Sequence, residues 1–590
     1  MAASDARALA RSLSARSDES LAALFATRHV SPGAAWNDAF DAAEHLLDAA
    51  SLARAIVDLT AAEAAALQAA VGGQIAPDGD PAAASLAARA LLGDDGRPWQ
   101  AVTAALDAAT PAETVDDVPV DDVPVDGDSV DDAPDGEAPE VTDAAAAERA
   151  FTAVASLADV LQAALTSPLG RIGAGTLGAT DRRRLVESGA VPDAAAADEL
   201  VAIAEQAGLL AAEGRTLLVT PRGVAWLHSS TIDRWVAVAE ALIDGLPRAV
   251  RADGGGWIRP DAWASAHPYD PAWPARAAAS RAALERWAVL AGGIPPAWTR
   301  PASTGGDIDA PALAALLPPE VDQVFLQNDL TAIAPGSLAP HLDMRLRSMA
   351  RRESRAQASS YRFTAESLAD ALTAGETAET LRAFLEELSL TGVPQPLAYE
   401  IDRSATRHGA LRVGPDGTGR TRVTSDDEAL LRTIAVDQAL RPLGLVDDGD
   451  ALVTRSSPDT AFWMIADARY PVVAVDAGGE RRALDRHRLA AEPAPAPAPV
   501  EVYAELLARL RKAEEGDADA AWLARELEQA VRARETIVVA VRVPNDPDGA
   551  EREFTIEATG LGGGRLRGLD RLVDVERTLP VSSITRVRPV

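Results

Sequence analysis

The chain has 590 residues, with 56 lysines and arginines against 89 aspartates and glutamates, so its formal net charge is −33. Several domains are expected at this length, and a hydrophobic content of 47% is enough to build their cores. The absence of cysteine excludes disulfides, thiolate nucleophiles, cysteine zinc sites and iron–sulfur clusters. No apolar run reaches the roughly 20 residues that cross a bilayer, and the first residues lack a signal-peptide core. We therefore expect no membrane contact and a cytoplasmic location, with association with the nucleoid left open.

Lysine usage excludes several enzyme classes. Lys512 is the only lysine and lies in the charged segment ARLRKAEEG, which matches no Walker A loop, kinase strand or Schiff-base site. The seven histidines are scattered without metal-binding spacing, and no G-x-S-x-G motif occurs. The sequence therefore predicts no ATP-driven motor, no catalytic residue, no metal and no cofactor.

The first quarter of the chain divides into two regions. Residues 1–110 are rich in alanine and leucine at helical spacing, which predicts an N-terminal helical domain. Residues 111–147 are predicted to be a disordered acidic linker, because residues 111–140 hold twelve carboxylates and no basic residue. An acidic arm that mimics nucleic acid or shields a basic site is the alternative.

Residues 148–300 are predicted to form a winged-helix-like domain with packing helices. Helices are expected over 144–165, 181–188 and 192–208, followed by two short strands around a Glu213-Gly214 turn. A further helix over 231–246 has one apolar face that suits packing against this module. The segment GAGTLG, 173–178, matches the dinucleotide fingerprint, but we reject it because a helix and Ser167-Pro168 precede it instead of a strand.

Charge argues against DNA reading by the third helix of this module. It carries Asp193, Asp198, Glu199 and Glu205 and no basic residue, so it would repel phosphate. We therefore predict a structural or protein-contact role. The nearby candidates for contact with nucleic acid or a partner are Arg182, Arg183 and Arg184, with an ordinary solvated surface as the alternative.

Residues 320–490 are predicted to form an α/β domain with a hairpin near Asn328-Asp329. Thr364 and Thr377 are expected to cap two helices, and Pro394 and Pro396 to stop the second one, before another helix over 397–407.

A helix starting near His341 would carry a row of arginines. It would place apolar residues on one face and, opposite them, Arg345, Arg347, Arg351 and Arg352, with Arg355 added if the helix persists. Five arginines against Asp343 and Glu353 predict a site for phosphate or an acidic partner. A charged face screened by salt is the alternative.

The last hundred residues change character twice. Residues 491–500 are a Pro/Ala linker, and 501–535 form a helical segment. Residues 536–590 contain short strands separated by turns, which predicts a small SH3-like β barrel. The predicted fold is therefore α+β, multidomain and mainly α-helical.

A longer pattern spans residues 324–413, with VFLQNDLTAIAPGSL and later MARRESRAQASSYRFTAESLADALTAGETAETLRAFLEELSLTGVPQPLAYEIDRSATRHGALRV. It resembles the helicase-associated domain near the N-terminus of XPB-type DNA-repair helicases, which also occurs in motorless actinobacterial proteins. The positions that carry the resemblance are Asp329, Leu330, Thr331, Glu353, Tyr361, Arg362, Ser367, Leu368, Gly375, Pro394, Pro396 and Gly409. The segments VVAVRV, GRLRGLD and RTLPVSSITRVRPV resemble, more distantly, the β portion of WYL-type regulator domains, without their Trp-Tyr-Leu signature.

The resemblance implies a non-enzymatic accessory role beside an XPB-type helicase in DNA repair or related DNA transactions. The implied partners are that helicase and DNA, bound weakly or within a complex, while the oligomeric state stays open. The alternative is a DNA-binding transcriptional regulator that uses the winged helix and the C-terminal barrel.

Overall fold

The computed structural model describes residues 2–111, 138–173, 175–252, 254–354, 359–482, 484, 488–491, 496–514, 518–542, 551–571 and 573–589. Most of the predicted acidic linker, part of the Pro/Ala linker, and Arg355 lie outside these residues. The described chain is mixed α/β, with several small sheets. Within it, no helix combines the length and apolar character needed to cross a membrane.

The N-terminal domain, residues 2–111, is helical. Its elements are α1 (Ala2–Ser14), α2 (Asp18–Thr27), α3 (Ala39–Leu46), α4 (Ala49–Val57), α5 (Ala61–Val71), α6 (Pro81–Ala88) and α7 (Gln100–Ala108). Polar side chains accept hydrogen bonds from the first-turn amides of α2 to α6 and so define where those helices begin. The domain has two hydrophobic cores, and each takes residues from elsewhere: Tyr269 joins one, and Tyr503, Leu506, Leu507 and Leu510 join the other.

The middle domain, residues 138–317, surrounds one large core. Its elements are α8 (Ala138–Thr166), β1 (Leu169–Ile172), β2 (Thr176–Leu177), α9 (Ala179–Glu187), α10 (Ala194–Gln206), β3 (Leu210–Glu213), β4 (Thr216–Val219), α11 (Pro221–His228), α12 (Thr231–Asp244), 3₁₀ turns Arg248–Val250 and Pro260–Ser265, α13 (Trp273–Arg286), α14 (Arg300–Ser303) and α15 (Ala310–Ala314). The sheet order is β2-β1-β4-β3. Seven tryptophans are buried in this core, and the indoles of Trp235 and Trp287 donate to each other's carbonyl oxygens at 2.7 and 2.9 Å.

The GAGTLG segment lies in a β-hairpin. Strand β1 lies between Ser167-Pro168 and the first glycine, so the expectation that a helix and Ser167-Pro168 precede the segment instead of a strand was wrong. The chain then returns antiparallel as β2 instead of entering a helix, which pairs Arg171 with Leu177. Helix α9 begins only after β2, with Gly178 as its N-cap, so the first glycine does not turn the chain from a strand directly into a helix. This segment is therefore not a dinucleotide fingerprint, which requires that direct strand-to-helix turn.

Residues 320–407 form the first α/β unit. Its elements are β5 (Glu320–Val321), β6 (Phe325–Leu326), β7 (Thr331–Ala334), β8 (Ser337–Leu338), α16 (Pro340–Met349), β9 (Arg351–Ser354), β10 (Ser359–Arg362), α17 (Ala365–Thr373), α18 (Ala378–Leu388) and α19 (Gln395–Arg407). One antiparallel sheet has the order β6-β7-β10-β9, and β5 pairs with β8 separately. The predicted hairpin and the predicted caps Thr364 and Thr377 are present.

Two predictions in this unit were wrong in detail. Helix α16 ends at Met349, so Arg351 and Arg352 lie on strand β9 and do not continue a helical row. Helix α18 ends at Leu388, before the prolines, whereas Pro394 precedes α19 and Pro396 occupies its first turn. Proline is tolerated there because the first-turn amides of a helix have no intrahelical partner.

Residues 411–484 form the second α/β unit. Its elements are β11 (Leu411–Pro415), β12 (Thr421–Ser425), α20 (Glu428–Val436), the 3₁₀ turn Gln438–Leu443, β13 (Val446–Asp447), β14 (Ala451–Thr454), α21 (Pro458–Asp467), β15 (Val472–Val475) and β16 (Arg481–Arg482). The sheet order is β13-β14-β12-β11-β15-β16, with β11 and β15 parallel. This unit has its own core, so the single domain predicted over 320–490 contains two hydrophobic cores.

The C-terminal elements are α22 (Pro499–Val502), α23 (Ala504–Glu514), α24 (Ala518–Ala533), β17 (Thr536–Arg542), β18 (Glu551–Gly562), β19 (Arg565–Asp570), β20 (Val575–Pro580), the 3₁₀ turn Val581–Ser583 and β21 (Ile584–Pro589). The five strands form an antiparallel sheet in the order β20-β19-β18-β17-β21. Its two edge strands do not pair within the described residues, so the predicted barrel is not closed. Helix α24 packs on this sheet, whereas α23 packs in the N-terminal domain.

Candidate functional site

The arginines predicted as an exposed row lie largely at a junction between domains. Arg347 donates from Nη1 to Oδ1 of Asp159 at 2.8 Å, and Arg352 donates to the other oxygen of the same carboxylate. Asp159 belongs to α8 of the middle domain and is 5% exposed. The two arginines therefore attach the first α/β unit to the middle domain through one buried carboxylate.

The remaining arginines of this group face other surroundings. Arg345 pairs with Glu376 at 3.2 Å, and its guanidinium lies 4.4 Å from the ring centroid of Phe384, so it is held within its own unit. Arg351 is exposed and makes no ion pair with any residue that the structure describes. Of the four described arginines, Arg351 has the guanidinium most available to a ligand.

A cleft of about 330 Å³ lies between α8, the end of α9 and the α16–β9 connection. Its lining comprises Asp159, Gln162, Thr166, Ser188, Arg347, Arg351 and Arg352, together with Ala163, Ala190 and Ala350. We call this the arginine cleft. Both domains contribute to it, so it exists only when they are docked.

The α9 arginines lie close to one border of the arginine cleft. Arg182 pairs with Asp198 at 3.1 Å, and Arg184 pairs with Asp181 at 3.0 Å. Arg184 also donates to the carbonyl oxygen of Ser167 at 2.9 Å, next to Thr166 in the lining. Arg183 is exposed and has no ion-pair partner among the described residues.

Helix α10 has its charges neutralised within the middle domain. Its Asp198, Glu199 and Glu205 pair with Arg182, Arg286 and Arg171. Its apolar residues, including Leu200, Val201 and Ile203, are buried in the middle-domain core. The polar side of this helix thus forms ion pairs within its own domain, and its apolar side packs in the core of the same domain.

The positions that carry the family resemblance have structural contacts around the hairpin and β10. The hydroxyl of Thr331 donates to Asp329, and the carbonyl oxygen of Leu330, at φ +65°, accepts from the amide of Phe363 at 2.8 Å. Glu353 pairs with Arg362 across β9 and β10. Tyr361 is buried, and its hydroxyl donates to Asp343 at 2.6 Å.

The other positions that carry the family resemblance lie at the beginnings or ends of helices or are buried in the core of the unit. Ser367 completes the cap of α17 and donates to the carbonyl oxygen of Met349 at 2.8 Å, while Leu368 is buried beside it. Gly375 and Gly409 have φ values of +108° and +84°, which favour glycine after α17 and α19. These positions build the unit and do not converge on a catalytic arrangement.

Sequence reasoning missed the α8 side of the site. Asp159, Gln162 and Thr166 are unremarkable in a helix of an acidic chain, and no local pattern distinguishes them. An indirect signal was the excess of arginine near α16, because those arginines that become buried on folding need acceptors such as carboxylates. In the described part of the chain, no cluster of histidines and carboxylates is arranged to hold a metal ion.

Comparison with known families identifies a match within the two α/β units. Residues 324–447 match the family described as helicase conserved C-terminal domain, which is roughly a fifth of the chain. The matched segment begins at the first buried residue of the first α/β unit and ends in β13 of the second. No curated protein matches the chain. The family match supports a helicase-associated domain in residues 324–447 and a helicase-related role.

Proposed function

We propose that this protein is a non-enzymatic accessory protein that acts beside an XPB-type helicase in DNA repair or related DNA transactions. The observation that carries the proposal is the helicase-family match over residues 324–447 in a chain with a single lysine. Lys512 is exposed on α23, within a helix and not after a glycine-rich turn. It therefore lacks the setting in which a lysine holds nucleotide phosphates.

The matched segment also offers apolar surface for a protein partner. Phe325, Leu390, Tyr399, Val436 and Val446 are exposed by 41 to 77%, and they are five of the twelve large hydrophobic residues exposed in the described chain. A fifth of the sequence thus holds a disproportionate share of them. Aromatic and aliphatic side chains of this kind are the usual anchors of protein interfaces.

Two finer assignments belong to the same proposal. The order α8, α9, α10, β3, β4, with β1 beside β4, supports the assignment of a winged helix. We propose a structural role for it because α10 packs within its own domain. The five C-terminal strands suit an SH3-like, WYL-like module whose ligand is open. A transcriptional regulator that reads DNA with α10 has less support, since that helix presents carboxylates already paired with arginines.

The test is capture of purified XPB-type helicase by the full-length protein in mild salt, together with the helicase's ATPase and unwinding rates. We expect capture and altered rates, and Tyr399→Ala should weaken capture at least several-fold because this residue is 66% exposed in the matched segment. Ile75→Ala, 65% exposed in the N-terminal domain, is the matched control. No capture, together with unchanged helicase rates, would show the proposal to be wrong.

A further inference from the structure

We propose that the arginine cleft binds phosphate groups of a nucleic-acid backbone. The inference deepens the proposed role in DNA transactions by assigning a DNA contact to this protein, and it rests on that part of the proposed function alone. It concerns a site built by two domains, of which only one lies in the family match.

The cleft presents hydrogen-bond donors that are already held in place. A guanidinium has five N–H donors, and Asp159 accepts one from Arg347 and one from Arg352. The other N–H groups of these two arginines have no hydrogen-bond partner among the described residues, although Asp343 lies 3.6 Å from Arg347. Because a buried carboxylate fixes both side chains, little rotamer entropy is lost when an anion binds them.

The charge of the lining favours an anion. The lining holds three arginines and one carboxylate, so its formal charge is 3 − 1 = +2, in a protein whose net charge is −33. Of these three arginines, Arg351 is the one that is exposed. The surrounding negative charge weakens attraction at long range, which predicts modest affinity that falls steeply with salt.

The remaining lining residues indicate which part of a nucleic acid is contacted. The hydroxyls of Thr166 and Ser188 already donate to the carbonyl oxygens of Gln162 and Leu185, at 3.1 and 3.0 Å, so the arginines supply the charged donors. None of the ten lining residues is aromatic, so no base can stack there. Contact through phosphate alone predicts binding without sequence preference.

The size of the cleft sets the scale of the ligand. About 330 Å³ is at the lower end of the roughly 300–1,000 Å³ of small-ligand sites. It exceeds what an inorganic phosphate ion fills, and it leaves room for a phosphodiester with its flanking sugar. A backbone phosphate and free phosphate share the same chemistry, so the experiment must distinguish these two sources.

The experiment measures fluorescence anisotropy of labelled single-stranded and duplex oligonucleotides of mixed sequence with the full-length protein across a salt series. We expect salt-dependent binding that is equal for permuted sequences. Arg351→Gln should weaken it roughly three- to tenfold and lower the salt slope by about 1. Arg54→Gln, an exposed arginine on α4 without an ion pair among the described residues, is the control and should bind as wild type does.

A parallel calorimetric titration with inorganic phosphate distinguishes binding of a backbone phosphate from binding of free phosphate. Oligonucleotide binding that depends on Arg351 supports the proposal, whereas binding of inorganic phosphate alone would overturn the backbone assignment. Equal affinity of wild type and Arg351→Gln, or no binding even at low salt, would also overturn it. The assay contains no helicase, so failure here leaves capture of the helicase as a separate result.

Discussion

Asp343 lies 3.6 Å from Arg347 of the arginine cleft and accepts a hydrogen bond from the hydroxyl of Tyr361. Burial, together with the neighbouring carboxylate of Asp343 and the hydrogen bond to it, raises the pKa of Tyr361 well above its usual range. The phenol therefore stays protonated and donates to Asp343 at any physiological pH. Because Asp343 also lies near Arg347, this buried hydrogen bond helps to position one of the arginines that line the cleft.

Replacing Tyr361 by phenylalanine should lower the free energy of unfolding by about 1–3 kcal/mol, because the Asp343 carboxylate loses a buried donor. Urea denaturation followed by circular dichroism measures the effect. The control is Tyr399→Phe, at an exposed position of the same unit, which should be within about 0.5 kcal/mol of wild type. Equal stability of the two variants would contradict a structural role for the Tyr361 hydroxyl.

At the scale of elements, α23 and α24 dock on the N-terminal domain. The hydroxyl of Tyr503, just before α23, donates to the carbonyl oxygen of Val30 at 2.7 Å. On α24, Arg525 pairs with Asp38 at 2.9 Å and with Asp41 at 2.7 Å. The same helix packs on the C-terminal sheet, so it joins that sheet to the other end of the chain.

Charge reversal at Arg525 should loosen this docking. Arg525→Glu brings a third carboxylate beside Asp38 and Asp41, and we expect hydrogen–deuterium exchange in α3 and α24 to become about tenfold faster or more. Arg432→Glu makes the same charge change at an exposed position on α20 without an ion pair among the described residues. It should leave exchange in those helices unchanged. Identical exchange in both variants would show that the ion pairs do not hold α24.

At the scale of the whole molecule, charged contacts join the domains. Glu63 of the N-terminal domain is 3% exposed, pairs with Arg89 at 3.2 Å, and reaches Arg248 of the middle domain at 2.6 Å. Burial alone would raise the pKa of Glu63, but the hydrogen bonds from Arg248 and Ser85 lower it to about 2. The arginine cleft has the same construction, with a buried carboxylate of one domain and arginines of the other.

Acid should weaken the junction at Glu63. Its ordinary pKa is 4.5, so the unfolded chain binds more protons than the folded one between about pH 4.5 and 2. The stabilisation, about 3 kcal/mol from this shift, is complete above pH 4.5 and is lost as the pH falls toward 2.

Glu63→Gln should therefore lose about 3–5 kcal/mol at pH 7, where the buried Arg89 keeps only the more distant carboxylate of Asp58 at 4.0 Å, and much less near pH 2. Urea denaturation at several pH values measures this difference. Glu386→Gln, at an exposed position of α18, is the control and should follow wild type throughout. A deficit for Glu63→Gln that is independent of pH would contradict the assigned pKa.

Local features of this chain could be predicted because their causes lie within a few residues. Thr364 and Thr377 cap helices since their hydroxyls accept from amides three residues later, and the hairpin before Thr331 follows from turn-forming residues between two apolar runs. The sequence pattern over 324–413 was likewise sufficient to indicate a helicase-associated domain, which the family match supports.

Contacts between distant segments were decided only by the tertiary structure. Asp159 is 188 residues from Arg347 and 193 from Arg352, and Glu526 is 515 residues from Arg11. No periodicity relates such positions, because an ion pair depends on which surfaces the packed cores bring together and not on spacing along the chain. Composition and local pattern alone thus indicated an acidic chain whose single lysine lies outside any nucleotide-binding motif. Docking of the domains decided which arginines form ion pairs within the protein, and it left Arg351 exposed at an open cleft.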